Sequence, residues 1–462
     1  MKRIVVIGGG ITGLAAAHRL VEHGQTEVLL LEAADRVGGV IHTESRDGFL
    51  LERGPDSFIS EKPEAVELAK EIGLESHLIE TNKQHRRSFI LRNGKLRPVP
   101  EGFHLLAPSQ LWPFITSDIF SWPGKLRMAM DLVLPRGNAN GAVDESLASF
   151  VRRRLGREAL ERMAQPMVGG IYTADPERLS LRATMPRFLD IEKEHRSLIL
   201  GMMRRATSGT SGARYSLFLS FDRGMQMLVD QLSAGLPPGT VKLNTAVEGI
   251  RNQAGKWVCQ TAEGDEISAG AICIALPAYK AARLLRSTNS GLAEELESIA
   301  YASTATVNLA YKRADIRHQL NGFGFVVPII EKRSIIACTF SSVKFTGRAP
   351  EGHALLRAFV GGAMQPEKFE LEDDEMIRRV RIDLQDLLGI TQPPVFAEVS
   401  RWKHSMPQYE VGHLERLKRI NEHVSNLPGL QLAGNAYTGP GIPDCIRSGI
   451  SAADALLKVD HI

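Results

Sequence analysis

Residues 1–39 read MKRIVVIGGGITGLAAAHRLVEHGQTEVLLLEAADRVGG, and this stretch decides the fold. Arg3, Ile4, Val5, Val6 and Ile7 make a short strand with an apolar core, and Gly8, Gly10 and Gly13 follow in G-x-G-x-x-G spacing. The period then changes: Leu14, Ala17 and Leu20 recur as on one face of a helix, and Gly24 closes it. A second strand over 28–31 ends on Glu32. This is a complete dinucleotide-binding βαβ unit. Gly8 permits the tight turn, Gly10 lets a pyrophosphate approach the backbone, and Gly13 lets helix and strand pack closely. The helix start offers unpaired N–H groups to phosphate. Glu32 stands about 20 residues past the glycines, where a carboxylate accepts from a ribose diol. A lone glycine motif is weak evidence, but here the strand before, the helix after and the terminal acid agree.

Working outward, Arg36, Gly38 and Gly39 extend the acid as E-x-x-x-R-x-G-G. The extension resembles FAD-containing oxidoreductases of the amine-oxidase type, which implies FAD rather than NAD. Arg36 suits a phosphate or ribose, and the glycine pair lets backbone pass close to a cofactor. A surface arginine and a plain turn are the bland alternative.

Bulk properties bound the rest. With 462 residues, 43% of them apolar and 24% charged, the chain is an ordinary globular one of about three domains. Its 56 basic and 53 acidic residues leave +3, which gives no general case for nucleic acid. Cys259, Cys273, Cys338 and Cys445 show neither a C-x-x-C pair nor zinc spacing, so no metal site and no disulfide framework is expected, in keeping with a reducing cytoplasm. Lys2, Arg3 and the apolar run imitate a signal peptide, but three consecutive glycines interrupt the run and export is not expected. No stretch reaches ~18 uninterrupted apolar residues, so no spanning helix is expected.

The expected class is α/β (α+β overall): a Rossmann-type FAD-binding domain, a sheet-based substrate domain and a mainly helical insertion. The divisions are 1–85 (first FAD part), 86–95 (substrate-domain segment), 96–215 (helical insertion), 216–295 (second FAD part), 296–415 (substrate domain) and 416–462 (C-terminal FAD part). Helices are expected over about 63–72, 146–155, 159–167, 279–285, 373–388 and 445–457. Strands are expected over 241–250, 256–261, 271–276, 306–311, 324–327, 335–340, 354–360 and about 430–432. At the C-terminus a strand leaves through Gly434 into Gly439, Pro440, Gly441, Ile442, Pro443 and Asp444, ahead of an Ala-rich helix. Such a helix turns its positive end toward whatever that loop touches.

The tail GNAYTGPGIPDCIRSGISAA (434–453) resembles the G-N-x-x-x-G-x-G-I-P-D-C-I-x-S-G signature of the HemY-type porphyrinogen oxidases, FAD enzymes of late haem synthesis. LERGPDSFIS (51–60), FILRNGKLRPVP (89–100), GGIYTADPERLS (169–180), FDRGMQMLVDQL (221–232), GFGFVVP (322–328), FSSVKFTGRAP (340–350) and RWKHSMPQYEVGH (401–413) fit the same family in the same order. The resemblance spans essentially the whole chain.

By position it implies that Gly8, Gly9, Gly10, Ile11, Thr12, Gly13, Glu32, Ala33, Arg36, Gly39, Gly54, Pro55, Asp56, Ser57, Val247, Trp402, Pro440, Gly441 and Ile442 hold FAD. Val247 would pack beside the adenine. It also implies that Arg92 pairs with a propionate of the porphyrinogen, that Phe340 packs on a pyrrole ring with Val326 nearby, and that Gly170 lines the cavity. Alone, Arg92 reads better as a solvated turn arginine. Arg86, Arg87, Lys95 and Arg97 make its segment basic, fitting either a polyanionic substrate or a solvated face. The loops at 59–62 and 207–213 depart from the family pattern, which bears on pocket size and charge.

The implied reaction is the six-electron oxidation of coproporphyrinogen III (four propionates) or protoporphyrinogen IX (two) in three hydride transfers, with oxygen or another acceptor taking the electrons. No catalytic side chain is expected, because the histidines are scattered and no Ser/His/Asp set exists. Orientation against the flavin carries the chemistry. Cys445 stands near the flavin by motif, where a small buried thiol also serves simply to fill space. A flavin amine oxidase or polyene desaturase of the same fold is the first alternative, since Lys403 beside Trp402 suits an amine oxidase. An FAD-bound scaffold or porphyrin carrier is the second. The resemblance further implies a hand-off to ferrochelatase. The apolar run at 103–122, with Trp112, Phe114, Ile115, Ile119, Phe120 and Trp122, reads as buried packing or as a peripheral contact with the inner face of a membrane. A cytoplasmic protein is expected.

Overall fold

The computed structural model describes residues 2–24, 26–137, 144–207, 218–253 and 255–458. Its first layer is the expected one. Strand β1 (Lys2–Ile7), helix α1 (Ile11–Glu22) and strand β2 (Thr26–Leu31) form the βαβ unit. β1 lies between β2 and Ala271–Ile274 in a five-stranded sheet completed by Val241–Lys242 and Leu430–Leu432, every pair parallel. Being covered on both faces, β1 is apolar without alternation from Ile4 to Ile7. Ile4 and Val6 join a core with α1 and the C-terminal helix Ile442–Leu457, whereas Val5 and Ile7 join another with Trp257 and the helix Ala278–Leu285.

Expectation and structure part at several boundaries. The stretch 241–250 is not one strand: Val241–Lys242 joins the parallel sheet, and Val247–Gln253 opens an antiparallel sheet with Lys256–Thr261 and Glu266–Ala269. Asn244 turns the chain between them at φ 52°, a left-handed conformation that asparagine tolerates. The C-terminal helix starts at Ile442 rather than near Cys445, with extended Gly441 as its N-cap and Pro443 in its first turn, where a missing N–H costs nothing.

A seven-stranded sheet runs in the order Phe396–Pro407, Tyr301–Lys312, His353–Gly361, Ile335–Phe340, Gly324–Val326, Phe89–Arg92, Lys95–Pro98. The hairpin Phe89–Arg92/Lys95–Pro98 pairs Ile90 with Arg97 and Leu91 with Leu96, so this sheet continues three residues beyond the expected division at 95. The helix Asp373–Leu388 covers one face with Phe325, Cys338 and Phe340. The helices between Leu111 and Thr207 cover the other around Phe120, Phe150, Phe188 and Leu147, with Ile90 and Val326 of the sheet packed against them.

The helix expected over 159–167 is broken. A π-turn, Leu160–Ala164, precedes the helix Gln165–Tyr172. Pro166 carries no N–H and its ring crowds the carbonyl one turn back, so the ladder slips to a wider spacing before it. The apolar run at 103–122 divides: Phe114, Ile119 and Phe120 are buried, while Trp112 is 74% and Trp122 65% exposed. The expected departure at 207–213 lies, past Thr207, outside the described residues.

Candidate functional site

Four segments meet where β1 ends. Gly8 sits at φ +107° and donates its N–H to the Leu31 carbonyl at 2.8 Å, turning the chain off the strand. A side chain on Gly13 would stand 1.9 Å from the Gly8 carbonyl oxygen, so only glycine lets α1 come this close. By contrast, nothing lies within 4 Å of where a Cβ on Gly10 would be. That open wall at the start of α1 is what a bound pyrophosphate requires, and the residues present fit a dinucleotide. The Glu32 carboxylate accepts from Gly9 N–H at 2.6 Å and Ala34 N–H at 2.9 Å, which holds it at the glycine loop. Ala33 is exposed beside it. Arg36 is turned inward instead: its guanidinium donates to the carbonyls of Val37, Ile41 and Gly39, stapling the loop whose Gly38 N–H bonds Gly9 at 2.7 Å.

Val247 comes to the same end of the sheet. Thr245, two residues before it, donates its N–H to the Glu32 carbonyl at 2.8 Å, and Asn244 to Ala34 at 2.9 Å. Val247 itself is half-buried against the core containing Leu31.

The Gly54–Ser57 loop is gripped by residues distant in sequence. The Arg53 carbonyl accepts from the Trp402 indole at 2.9 Å and the Thr306 hydroxyl at 3.1 Å, and the Gly54 carbonyl from Arg357. Lys344 donates to both Asp56 carboxylate oxygens and to the Ser57 hydroxyl, each at 3.0 Å. Burial acts to raise the Asp56 carboxyl, but Lys344 and Arg357 outweigh it and hold the group well below the usual carboxylate range. The Ser220 hydroxyl donates to the Asp56 carbonyl at 2.8 Å. Lys344 and Arg357 were not singled out in the sequence; the only signal was the FSSVKF stretch containing Lys344.

The last segment is the Pro440–Ile442 turn. The Tyr409 hydroxyl donates to the Asn435 carbonyl at 2.6 Å and accepts from Gly439 N–H at 2.8 Å. Asp444, 2% exposed, accepts from Lys62 at 2.6 and 2.7 Å and from Arg447. One of the departing loops, 59–62, therefore ends by anchoring the C-terminal helix. Ile442 shares a core with Ile11, and Gly449 lies so near Thr12 that a Cβ there would be 2.2 Å from the Thr12 carbonyl. The start of α1 thus packs against the C-terminal helix about two turns in, at Gly449. Cys445 is enclosed there and its thiol is pushed up to about 12 by burial, so it stays protonated.

Of the four expected substrate contacts, three share one face. Gly170 is exposed, and a Cβ on it would lie 3.7 Å from Val326 Cγ1. Arg92 alternates onto the Ile90 side of its strand, which faces the helices, and its buried Nε makes no hydrogen bond among the described residues. Phe340 is a correction. It is 0% exposed, 5.7 Å from His318 and 6.0 Å from Phe325 by ring centroids, in the core on the opposite face. Strand alternation, which pairs Val326 with Ala337 and Phe325 with Cys338, turns Phe340 away from Val326. Two of the four neighbouring basic residues are engaged: Arg97 pairs with Asp118 at 2.7 Å and Arg86 with Glu80 at 3.5 Å.

Comparison with known proteins agrees with this geometry. The model of the flavin containing amine oxidoreductase family matches residues 11–457. The chain is 36% identical to the coproporphyrinogen III oxidase of Bacillus subtilis (strain 168), covering 98% of each. It is 31% identical to the chloroplastic protoporphyrinogen oxidase of Nicotiana tabacum, covering 97% of this chain and 84% of that one. A crystal structure from Exiguobacterium sp. 255-15, assigned provisionally as a protoporphyrinogen oxidase, superposes with a TM-score of 0.88 at 33% identity over 98% of both chains.

Proposed function

The chain belongs to the flavin containing amine oxidoreductase family, and from that premise we propose that it oxidises coproporphyrinogen III to coproporphyrin III. It is an FAD-dependent oxidoreductase of the porphyrinogen-oxidising kind, acting in haem biosynthesis. The observation that carries the choice of substrate is kinship along the full length with an enzyme named for coproporphyrinogen III. The placement of Arg92, Gly170 and Val326 on one face between sheet and helices supports a porphyrinogen site there.

Bound FAD supplies the two-electron oxidant, used three times per substrate. In the proposed division of labour, the loop Gly8–Gly13 with Ile11 and Thr12 and the N-terminus of α1 hold the pyrophosphate, while Glu32 and Ala33 meet the adenosine ribose and Val247 the adenine. Arg36 acts through the loop it staples, setting Gly39 beside the cofactor. Gly54, Pro55, Asp56 and Ser57, with Trp402 behind them, and Pro440, Gly441 and Ile442 frame the flavin. Arg92 takes a propionate, and Gly170 leaves room for the macrocycle against Val326. Three hydrides leave from bridge carbons and three protons pass to solvent, two of them net from pyrrole N–H groups and one from the remaining bridge after imine–enamine tautomerisation. No side chain need therefore shuttle protons, and orientation is the protein's contribution. Oxygen is the proposed acceptor.

In this reading the expected domain division, with the first sheet hairpin running to Pro98, supplies the two walls of the site. No helix among the described residues is long and apolar enough to cross a membrane. In this reading the protein works in the cytoplasm, with the Trp112–Trp122 face resting on the inner membrane surface and the product passing to a ferrochelatase. Steady-state assays in air test the function. Coproporphyrinogen III should yield porphyrin fluorescence with a higher kcat/KM than protoporphyrinogen IX, and primary amines none; the reverse order of the two porphyrinogens would overturn the substrate choice.

A further inference from the structure

We propose that Glu331 and Arg162 form a latch that keeps the Arg92 guanidinium free for a substrate carboxylate. Both are positioning residues, and the inference rests on the reading of Arg92 above. The two-residue turn after Arg92 is left-handed, with Asn93 at φ 48° and Gly94 at φ 72°. Its two amides do not point to solvent: Glu331, at the end of the turn Ile329–Glu331, accepts from Asn93 N–H at 2.9 Å and from Gly94 N–H at 3.3 Å. The same carboxylate binds the Arg162 guanidinium across from the helical wall. The Glu331 side chain is 10% and that of Arg162 20% exposed, so solvent screens this pair little.

The consequence concerns charge. A carboxylate held one residue from Arg92 would be its natural partner, yet two amides and Arg162 occupy Glu331, and Arg92 Nε is left without a hydrogen bond among the described residues. Arg162 therefore acts as a decoy cation, and removing it frees Glu331 to capture Arg92. Position supports this. Arg162 projects from the π-turn ahead of Pro166, and Gln165 adds a second tie by accepting from Ile329 N–H at 3.0 Å. The helix fastened in this way carries Gly170 against Val326. One latch thus sets both the carboxylate-binding arginine and the position of Gly170 against Val326.

The test is steady-state kinetics with coproporphyrinogen III on FAD-loaded Arg92→Ala, Arg162→Ala, Arg162→Lys and Glu331→Gln. Arg92→Ala should raise KM about tenfold or more, the effect of one charge-assisted hydrogen bond, with kcat little changed. Arg162→Ala should raise KM comparably, and Arg162→Lys should restore most of the loss. In the double variant Arg162→Ala/Glu331→Gln the KM should fall back below that of Arg162→Ala, because the competing carboxylate is gone; a purely structural clamp would make the double variant worse. If Arg162→Ala does not fold, Arg162→Gln takes its place, alone and combined with Glu331→Gln; Glu331→Gln by itself should leave KM near that of the parent. A raised KM for Arg92→Ala with an unchanged KM for the variant that removes the Arg162 charge, or a double variant no better than that single one, overturns the latch alone. An unchanged KM for Arg92→Ala overturns the reading of Arg92 and the latch with it.

Discussion

Glu52 and Asp56 flank the same cofactor loop, yet their surroundings drive their protons in opposite directions. Asp56 faces Lys344 and Arg357 and stays ionised. Glu52, 4% exposed, has only the Met225 amide at 2.8 Å, the Thr43 hydroxyl at 2.8 Å and the more distant Arg348 to set against burial, and its carboxyl is pushed up to about 7. A carboxyl raised in the folded state holds its proton there after the unfolded chain, near 4.5, has released it. The stability this confers is full below pH about 4.5 and is lost as pH rises through about 7. Glu52→Gln keeps the neutral shape and should match the parent near pH 4.5. Above pH 7 it should exceed the parent by on the order of 3 kcal/mol. Melting curves from pH 4.5 to 8.5 check this; parallel profiles for the two proteins would contradict it. At this scale the sequence was legible where the geometry is local. The glycines and Glu32 act within one βαβ unit, so their spacing was readable. Lys344 and Arg357 were not readable, because each acts on a loop about 300 residues away that only the fold brings near.

Elements with strong local signals kept their expected bounds. The helix Asp373–Leu388 opens on Asp373, Asp374 and Glu375 and closes on left-handed Gly389, and it spans the expected residues. The edge strand Phe396–Pro407 was missed because half-buried Glu398 and exposed Arg401, Lys403 and His404 interrupt the apolar alternation. The helical region was read as helical, but not what pins it. Arg154 and Asp131, both 0% exposed, pair through Arg154 Nε at 2.7 Å. Asp131 also accepts from the Ser197 hydroxyl at 2.6 Å and Ile199 N–H at 3.0 Å, at the start of the helix Leu198–Thr207. With every partner satisfied the pair is tolerated, and with one removed a buried charge is stranded. Asp131→Ala should therefore destabilise the helical region by about 3–5 kcal/mol, and Asp131→Ala/Arg154→Leu by less than Asp131→Ala alone. Thermal melts with limited proteolysis check this. Early cleavage between 111 and 207 while FAD stays bound is expected; equal damage from the single and double variants would contradict it.

Across the whole molecule the site is a seam. The parallel sheet brings the glycine loop, Glu32 and the C-terminal turn to one end, and the seven-stranded sheet and helices close over it as opposing walls. On the outside of the helical wall, Trp112, Trp122, Leu126 and Val133 are 65–74% exposed and share the surface with Leu111, Ile115 and Met130. Tryptophans over an apolar patch suit the headgroup region of a bilayer. The protein should cosediment with vesicles containing anionic lipid, and Trp112→Ala/Trp122→Ala should lower the bound fraction several-fold without changing turnover of free substrate. Equal binding by both proteins would remove this face from the account. The central claim is that FAD held by these four segments oxidises a porphyrinogen. The most direct measurement is anaerobic mixing of the yellow holoprotein with coproporphyrinogen III, followed by admission of air. Rapid bleaching of the flavin, then return of the yellow colour as porphyrin fluorescence grows, is the expected result. A flavin that stays yellow with both porphyrinogens but bleaches with an amine would contradict the claim.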